Sequence, residues 1–330
     1  MAKFKVVLLE DRYAHHNYEK AVLEKINAEV VESKAQTKED VLKVASDADG
    51  LTVNLAPMTA EVIAGLKKCK VIARYGVGFD SVDIKAAGEK GILVVNVPDY
   101  CDEDVSDQAL ALITGCARQV PLHDREVRKG NWNIRSAGPM YRYKGKVFGL
   151  AGYGRIPQCL HRKIKGFGFA RVLVSDPFVS KEVVEKNGAE RVDLDTLLRE
   201  CDILSAHVPL SDKTKHMFGK AEFAKMKKTA IFVNTARGGI VDTQALYEAL
   251  KNKAIAWAGL DVHEQEPVAK DYPLFQLDNC VLSDHVGWYS EESQVDLQTK
   301  AAQAVADVLS GKTPQYVVNG QYLTPRSPLS

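Results

Sequence analysis

The chain has 330 residues, and at roughly 150 residues per domain that length points to two domains. Its 44 basic and 43 acidic side chains nearly cancel, which argues against a dedicated nucleic-acid binder, and its 45% hydrophobic content is that of a globular protein. No apolar run approaches the ~18 residues of a membrane-spanning helix, so no membrane partner is expected.

From the N-terminus, MAKFKVVLLEDRY has too short an apolar run before Glu10 to be a signal-peptide core of ~7–15 residues. Strands are predicted at 5–9, 50–53, 71–74, 92–96, 147–151, 172–175, 203–206, 230–234, 256–260 and 281–283. Most are unbroken apolar runs, the pattern of parallel strands covered on both faces. Between them, Val105, Ala109, Leu112, Ile113 and Cys116 repeat at helical spacing, as do Ile156, Cys159, Leu160 and Ile164. Alternating strands and helices over the whole length mean an α/β architecture. The segment NVPDYCDED (96–104) reads as a connector. Ser290 is a predicted N-cap, with Glu291 and Glu292 at the positive end of a helix that runs to about Leu309 and stops at Gly311. One domain is therefore expected over 100–290, and the other over 1–99 plus 291–330. The closing GQYLTPRSPLS (320–330) is expected to be a mobile tail. The six cysteines, at 69, 101, 116, 159, 201 and 280, form no CxxC, so neither a metal site nor a disulfide framework is expected and a reducing cytoplasm is the natural setting.

The strand KVFGLA leads into Gly152-Tyr153-Gly154-Arg155-Ile156-Pro157 and a helical pattern, and Asp176 ends the next strand. This is the strand–turn–helix–strand–acid layout that binds a dinucleotide. A structural turn between strand and helix is the alternative. Gly152 permits the tight turn, and Gly154 lets backbone N–H groups approach a pyrophosphate. Asp176 would accept from the ribose hydroxyls and repel a 2′-phosphate, and the Pro177-Phe178 that follows brings no arginine, so NAD is expected over NADP. Pro157 stands where the pattern has its third glycine.

With these motifs the chain resembles the D-specific 2-hydroxyacid dehydrogenase family. The likeness spans about residues 40 to 319. It rests on RYGVGFDSVDI (74–84), VSDQALALITGCAR (105–118), GYGRI (152–156), HVPLSDKTKHMFG (207–219), VNTARGGIVDTQAL (233–246), GLDVHEQEP (259–267) and LSDHVGWYSEE (282–292). The resemblance implies two doubly wound parallel-sheet domains, a Rossmann NAD domain and a smaller flavodoxin-like substrate domain. It implies an NAD-dependent oxidoreductase that interconverts a D-2-hydroxy acid and its 2-oxo acid. The family's Arg, Glu and His fall on Arg237, Glu266 and His285. His207, Val208, Pro209, Thr235 and Ala236 fall on its cofactor-lining segments. Asp261 falls where the family binds the nicotinamide carboxamide; a turn aspartate is the alternative. Val77 and Gly78 fall in the loop whose amides hold the substrate carboxylate.

The chemistry agrees with those residue types. Arg237 follows an apolar strand and offers a planar fork to a carboxylate and a carbonyl together. His285 also follows a strand, and imidazole, with an ordinary pKa near ~6.5, suits proton transfer at neutral pH. Glu266 beside it would favour the protonated ring. Trp288, with Tyr75 near the carboxylate loop, is expected to border the substrate's side chain; anchoring the last helix is the other reading of Trp288 and Tyr289. A cleft closing between the domains is expected to expel water. The family builds a homodimer on the helix near 105–120, which otherwise reads as a core helix.

Several branches of the family fit less well. Formate dehydrogenases have Gln at the position of Glu266. Phosphite dehydrogenases have Lys at that of Val77. Long phosphoglycerate dehydrogenases add regulatory domains, which are not expected so soon before the end of this chain. HVGWYSEE resembles C-terminal binding proteins and related bacterial dehydrogenases. An NAD-sensing corepressor-like scaffold is therefore the second reading, and it keeps the same Arg–Glu–His set.

Overall fold

The computed structural model describes residues 3–10, 12–135 and 138–323. The chain divides into two units, Met1–Cys101 with Ser290–Ser330, and Asp102–Tyr289. In the first, β1 (Phe4–Leu9), α1 (Asn17–Leu23), β2 (Ala28–Ser33), α2 (Lys38–Ala45), β3 (Gly50–Val53), α3 (Ala60–Gly65), β4 (Val71–Arg74), α4 (Ile84–Glu89) and β5 (Leu93–Val95) follow in order. Its five strands lie in the order β2-β1-β3-β4-β5, and every pairing is parallel. This is the flavodoxin-like order. Val6 to Leu9 are fully buried because helices cover both faces. Edge strand β2 (AEVVES) is only half-buried and mixes charged with apolar residues. No apolar run marks it, so the sequence does not predict it.

The second unit opens with α5 (Asp102–Arg118) and α6 (Val120–Arg128). There follow β6 (Val147–Ala151), α7 (Arg155–Ile164), β7 (Arg171–Ser175), α8 (Lys181–Lys186), β8 (Glu190–Arg191), α9 (Leu194–Glu200) and β9 (Ile203–Ala206). Then come α10 (Lys220–Lys225), β10 (Ile231–Asn234), α11 (Thr243–Lys251), β11 (Trp257–Leu260) and β12 (Cys280–Leu282). The seven strands run in the order β12-β11-β10-β9-β6-β7-β8, all parallel. The direction of the winding reverses between β6 and β9, and in such sheets ligands gather at the carboxyl ends beside that reversal. Two-residue β8 is exposed and charged, and it too leaves no trace in the hydrophobic pattern.

Two expectations change. Of the acids in 96–104, Asp102, Glu103 and Asp104 form the first turn of α5 rather than a connector, since acids are stable at the positive end of a helix. The apolar stripe of α5 is spent inside its own unit: Ala109, Leu112, Ile113 and Cys116 are buried in one core with Phe148, Leu150, Val233 and Trp257. These residues make it a core helix of its own unit, while Leu110 is only partly buried and Ala111 is exposed.

The chain returns to the first unit through α12 (Glu291–Leu309), which packs on α1, β3 and β4. Ser290 caps it as expected: its hydroxyl accepts from Ser293 N–H (2.9 Å), and the Ser293 hydroxyl accepts from Ser290 N–H (2.8 Å). Gly311, with φ +79°, follows the helix end. Of the expected tail, Gly320–Tyr322 make a 3-10 turn, and 324–330 lie outside the described residues. Among the described residues no helix is long and apolar enough to cross a membrane.

Candidate active site

The loop after β6 stands at the winding reversal. Gly152 has φ +91°, and a Cβ there would come within 2.8 Å of the His207 carbonyl oxygen, so glycine alone fits this turn against the end of β9. The next amide, Tyr153 N–H, donates to Asp176 Oδ2 (2.8 Å). The Tyr153 ring turns inward, its hydroxyl 2.7 Å from His161 Nδ1. Burial, helped by Lys165, pushes the His161 imidazole below its ordinary range. Gly154 caps α7 without a side-chain bond, and nothing lies within 4 Å of where its Cβ would be. The positive end of a ten-residue helix is thus open to an anion. The helix's first internal bond is Gln158 N–H to the Gly154 oxygen (3.2 Å), so Pro157 stands in the first turn, where no N–H is needed. Arg155 is exposed and donates to Asp102 (2.7 Å), and Ile156 is half-buried.

Asp176 ends β7. Beyond Tyr153 it accepts from Phe178 N–H (2.7 Å) and Val179 N–H (3.2 Å). A guanidinium also stands here, contrary to expectation. Arg191, carried by β8, donates to the carbonyls of Asp176 (3.2 Å) and Pro177 (3.4 Å). It is distant along the chain, which is why a search after Asp176 misses it. Beyond β9, burial pushes the His207 imidazole down to about 3, so the ring is neutral; its Nε2 lies 2.9 Å from the Ser205 hydroxyl. Val208 is buried and Pro209 exposed. At the end of β10 the Thr235 hydroxyl, in a residue 8% exposed, has no hydrogen-bond partner among the described residues. A buried hydroxyl left unpaired is costly. With the open start of α7, it fits a bound dinucleotide.

The turn from 234 to 237 is shaped by fully buried Asn234. Its amide donates to the Arg237 carbonyl (2.9 Å), and its carbonyl accepts from Ala236 N–H (3.0 Å). Arg237 Nη1 donates to the Ala236 carbonyl (2.7 Å), and the side chain is half-buried. Gly238 packs so tightly on the loop after β11 that a Cβ would lie 1.9 Å from the His263 carbonyl carbon. That loop carries Glu266, whose Oε1 accepts from His263 N–H (2.8 Å) and whose Oε2 lies 2.6 Å from His285 Nδ1. Burial opposes ionisation of Glu266, but the hydrogen bond and charge of His285 outweigh it, and the carboxyl is held below its ordinary range. His285 has φ +58°, a left-handed conformation rare outside glycine.

Asp261 sustains that conformation. Its carbonyl accepts from His285 N–H (2.8 Å). Its carboxylate accepts from Val286 N–H (3.1 Å), Gly287 N–H (2.9 Å) and the Ser283 hydroxyl (2.6 Å). Gln108 on α5 adds a bond to Ser283 (2.8 Å). The carboxylate thus serves the turn. Asn234, Gly238, Gln108 and Ser283 all lie inside motifs visible in the sequence, but their partners come from other elements. Trp288 is half-buried and meets the Tyr289 ring edge to face at 5.6 Å.

In the first unit, Tyr75 departs from expectation. Its ring is 1% exposed, packed edge to face on Tyr13, and its hydroxyl donates to Glu19 (2.8 Å). The ring belongs to the interior and cannot border a substrate. Val77 and Gly78 follow β4. The Val77 carbonyl accepts from Asn96 (2.6 Å), while the amides of Val77 and Gly78 make no hydrogen bond to another described residue.

A family model described as the NAD binding domain of the D-isomer specific 2-hydroxyacid dehydrogenases matches residues 110–287. The chain is 39% identical over 296 residues to a glyoxylate reductase of Korarchaeum cryptofilum, covering 88% of this chain and 89% of that one. It is 41% identical over 300 residues to a D-3-phosphoglycerate dehydrogenase of Methanocaldococcus jannaschii, covering 90% of this chain but only 56% of that protein's length. Among solved structures, the holo D-mandelate dehydrogenase of Rhodotorula graminis superposes with a TM-score of 0.87 at 29% identity, covering 96% of this chain and 98% of that one.

Proposed function

The chain belongs to the D-isomer specific 2-hydroxyacid dehydrogenase family, NAD-dependent oxidoreductases that interconvert a D-2-hydroxy acid and its 2-oxo acid, and we propose that here Arg237, Glu266 and His285 carry that reaction. The observation that carries this reading is the 2.6 Å contact between Glu266 Oε2 and His285 Nδ1, on loops at the carboxyl ends of β11 and β12. With Nδ1 engaged, Nε2 is the nitrogen left for substrate. It gives its proton to the carbonyl oxygen in reduction and takes it back in oxidation. Glu266 holds the ring's orientation and stabilises its charged form. Arg237 supplies the fork that binds the carboxylate and polarises the carbonyl. In the first unit, the amides of Val77 and Gly78, unbonded among the described residues, are donors that suit a carboxylate.

The dinucleotide's phosphates lie, in this reading, over Gly152–Ile156, its ribose near Asp176, and its nicotinamide end toward Thr235, Ala236, Asp261 and the His207–Pro209 segment. NAD(H), when bound, supplies or accepts the hydride at the substrate carbon. The relatives' names, reductases and dehydrogenases, favour the enzyme over the corepressor-like scaffold. The six free thiols suit a reducing cytoplasm.

A homodimer is also part of this reading, and a second surface beside the expected helix supports it. Past the buried stripe of α5, Val120 and Val127 on α6 and then Trp132 (90% exposed) and Ile134 (83%) present apolar side chains to solvent. Such a patch suits a second copy of the chain.

The test is NADH oxidation with a panel of 2-oxo acids, run on the wild type and on His285→Ala. Turnover with at least one of them is expected, and loss of about two to four orders of magnitude in the variant. Wild-type rates in His285→Ala would overturn the assignment.

A further inference from the structure

His263 lies three residues before Glu266 and is buried, at 9% exposure. Its polar groups reach three parts of the site. Its amide N–H donates to Glu266 Oε1 (2.8 Å). Its ring nitrogens are 2.8 Å from the Ser283 carbonyl oxygen (Nε2) and 3.2 Å from the Tyr272 hydroxyl (Nδ1). A carbonyl can only accept, so Nε2 carries a hydrogen, and in that tautomer Nδ1 accepts from Tyr272. Burial pushes the Tyr272 phenol up to about 12, which keeps it a donor.

Ser283 stands two residues before His285, whose left-handed backbone has no intrinsic preference for its own shape. Asp261 fixes that turn from one side. The His263 ring joins its start to the loop that bears Glu266, and the His263 amide holds the Glu266 carboxylate, so the two partners of the proton-transfer pair are tied to one residue.

We infer that His263 is a positioning residue for proton transfer: its ring, in the Nε2–H form, sets the register between the segment carrying His285 and the loop carrying Glu266, acting through Ser283 and Tyr272. This rests on the reading of Glu266 and His285 as the acid–base pair. The ring meets Tyr272 and the Ser283 carbonyl, the Glu266 carboxylate meets the His263 amide, and none of them replaces the donor that Nε2 supplies.

His263→Phe keeps an aromatic ring but removes both nitrogens, while His263→Gln returns an amide donor toward Ser283. In the reduction assay, His263→Phe should lower kcat about 10- to 100-fold, the scale of a small misplacement of reacting groups. KM for NADH should stay within about twofold. The alkaline limb of the rate profile should move to lower pH, as in Glu266→Gln. His263→Gln should restore the limb and most of kcat. A His263→Phe enzyme with a lower melting temperature but wild-type kcat and limb would make His263 a packing residue and overturn the inference. Should that variant not fold, Tyr272→Phe removes the donor to Nδ1, and an unmoved limb there overturns it equally. If His285→Ala and Glu266→Gln leave reduction unchanged, the acid–base reading itself fails. If they slow it while His263→Phe and Tyr272→Phe do not, only the positioning role fails.

Discussion

In the proposed reading, Glu266 is the residue through which pH enters. Its carboxyl is held below the ordinary carboxylate range by its contact with His285, against the opposing effect of burial. A carboxyl depressed in the folded state contributes stability above its unfolded pKa, near ~4.3, and loses it as pH falls through the lower folded value. The pair therefore survives mild acid. In reduction His285 must start protonated, so the rate falls as pH rises. Glu266→Gln removes the negative neighbour, and the alkaline limb of kcat/KM should shift to lower pH. An unmoved limb would show that Glu266 is not the partner. Trp288 poses a second question at this scale. If its half-buried ring borders the substrate, 2-oxo acids with a few side-chain carbons should outpace glyoxylate, through apolar burial at about 25 cal/mol per Å². Trp288→Ala should then erode that preference more than the melting temperature. Equal losses for both substrates, with a large drop in melting temperature, would make Trp288 an anchor of the chain before α12.

Among elements, the proposed cofactor site draws on the ends of β6, β7 and β8. In that reading Asp176 would repel a 2′-phosphate, yet Arg191 from β8 supplies a cation beside it. The wild type should prefer NADH. Asp176→Ala should raise relative efficiency with NADPH by about tenfold, or ~1.4 kcal/mol, because the guanidinium then stands unopposed. Adding Arg191→Ala should cancel that gain. The measurement is kcat/KM for the two cofactors, and a ratio untouched by Asp176→Ala would sink the argument. The turns at Gly152 and Gly238 serve the same ends of the sheet, since each lets one loop rest directly on the backbone of another.

For the whole molecule, Trp132 and Ile134 are the test of assembly. Interface aromatics are commonly worth about 2 kcal/mol or more, some thirtyfold in Kd. Trp132→Ser should shift the chain from dimer toward monomer in light scattering over a concentration series. A monomeric wild type, or a variant that associates as before, would exclude this surface.

Much of this is legible in the sequence. Apolar strand runs such as 147–151 and 203–206 announce a buried parallel sheet, because strands covered on both faces have no polar side to show. Gly152, Asp176, Arg237, Glu266 and His285 stand in motifs whose spacing reflects strand ends in a repeating strand–helix pattern. Local sequence also suffices for the Ser290 cap, which needs only its neighbours. The remainder depended on residues that meet only when the chain has wound into sheets. β2 and β8 lie at sheet edges, where the apolar signal fades. Arg191 reaches Asp176, Gln108 reaches Ser283, and His263 joins Tyr272 to Ser283, each between separate elements. Tyr75 reads as a pocket ring until Glu19 takes its hydroxyl. Sequence alone determined which chemical groups this protein carries and at which strand ends. Tertiary structure decided which of those groups are already engaged with one another, because hydrogen bonds and close contacts depend on distance in space and not along the chain.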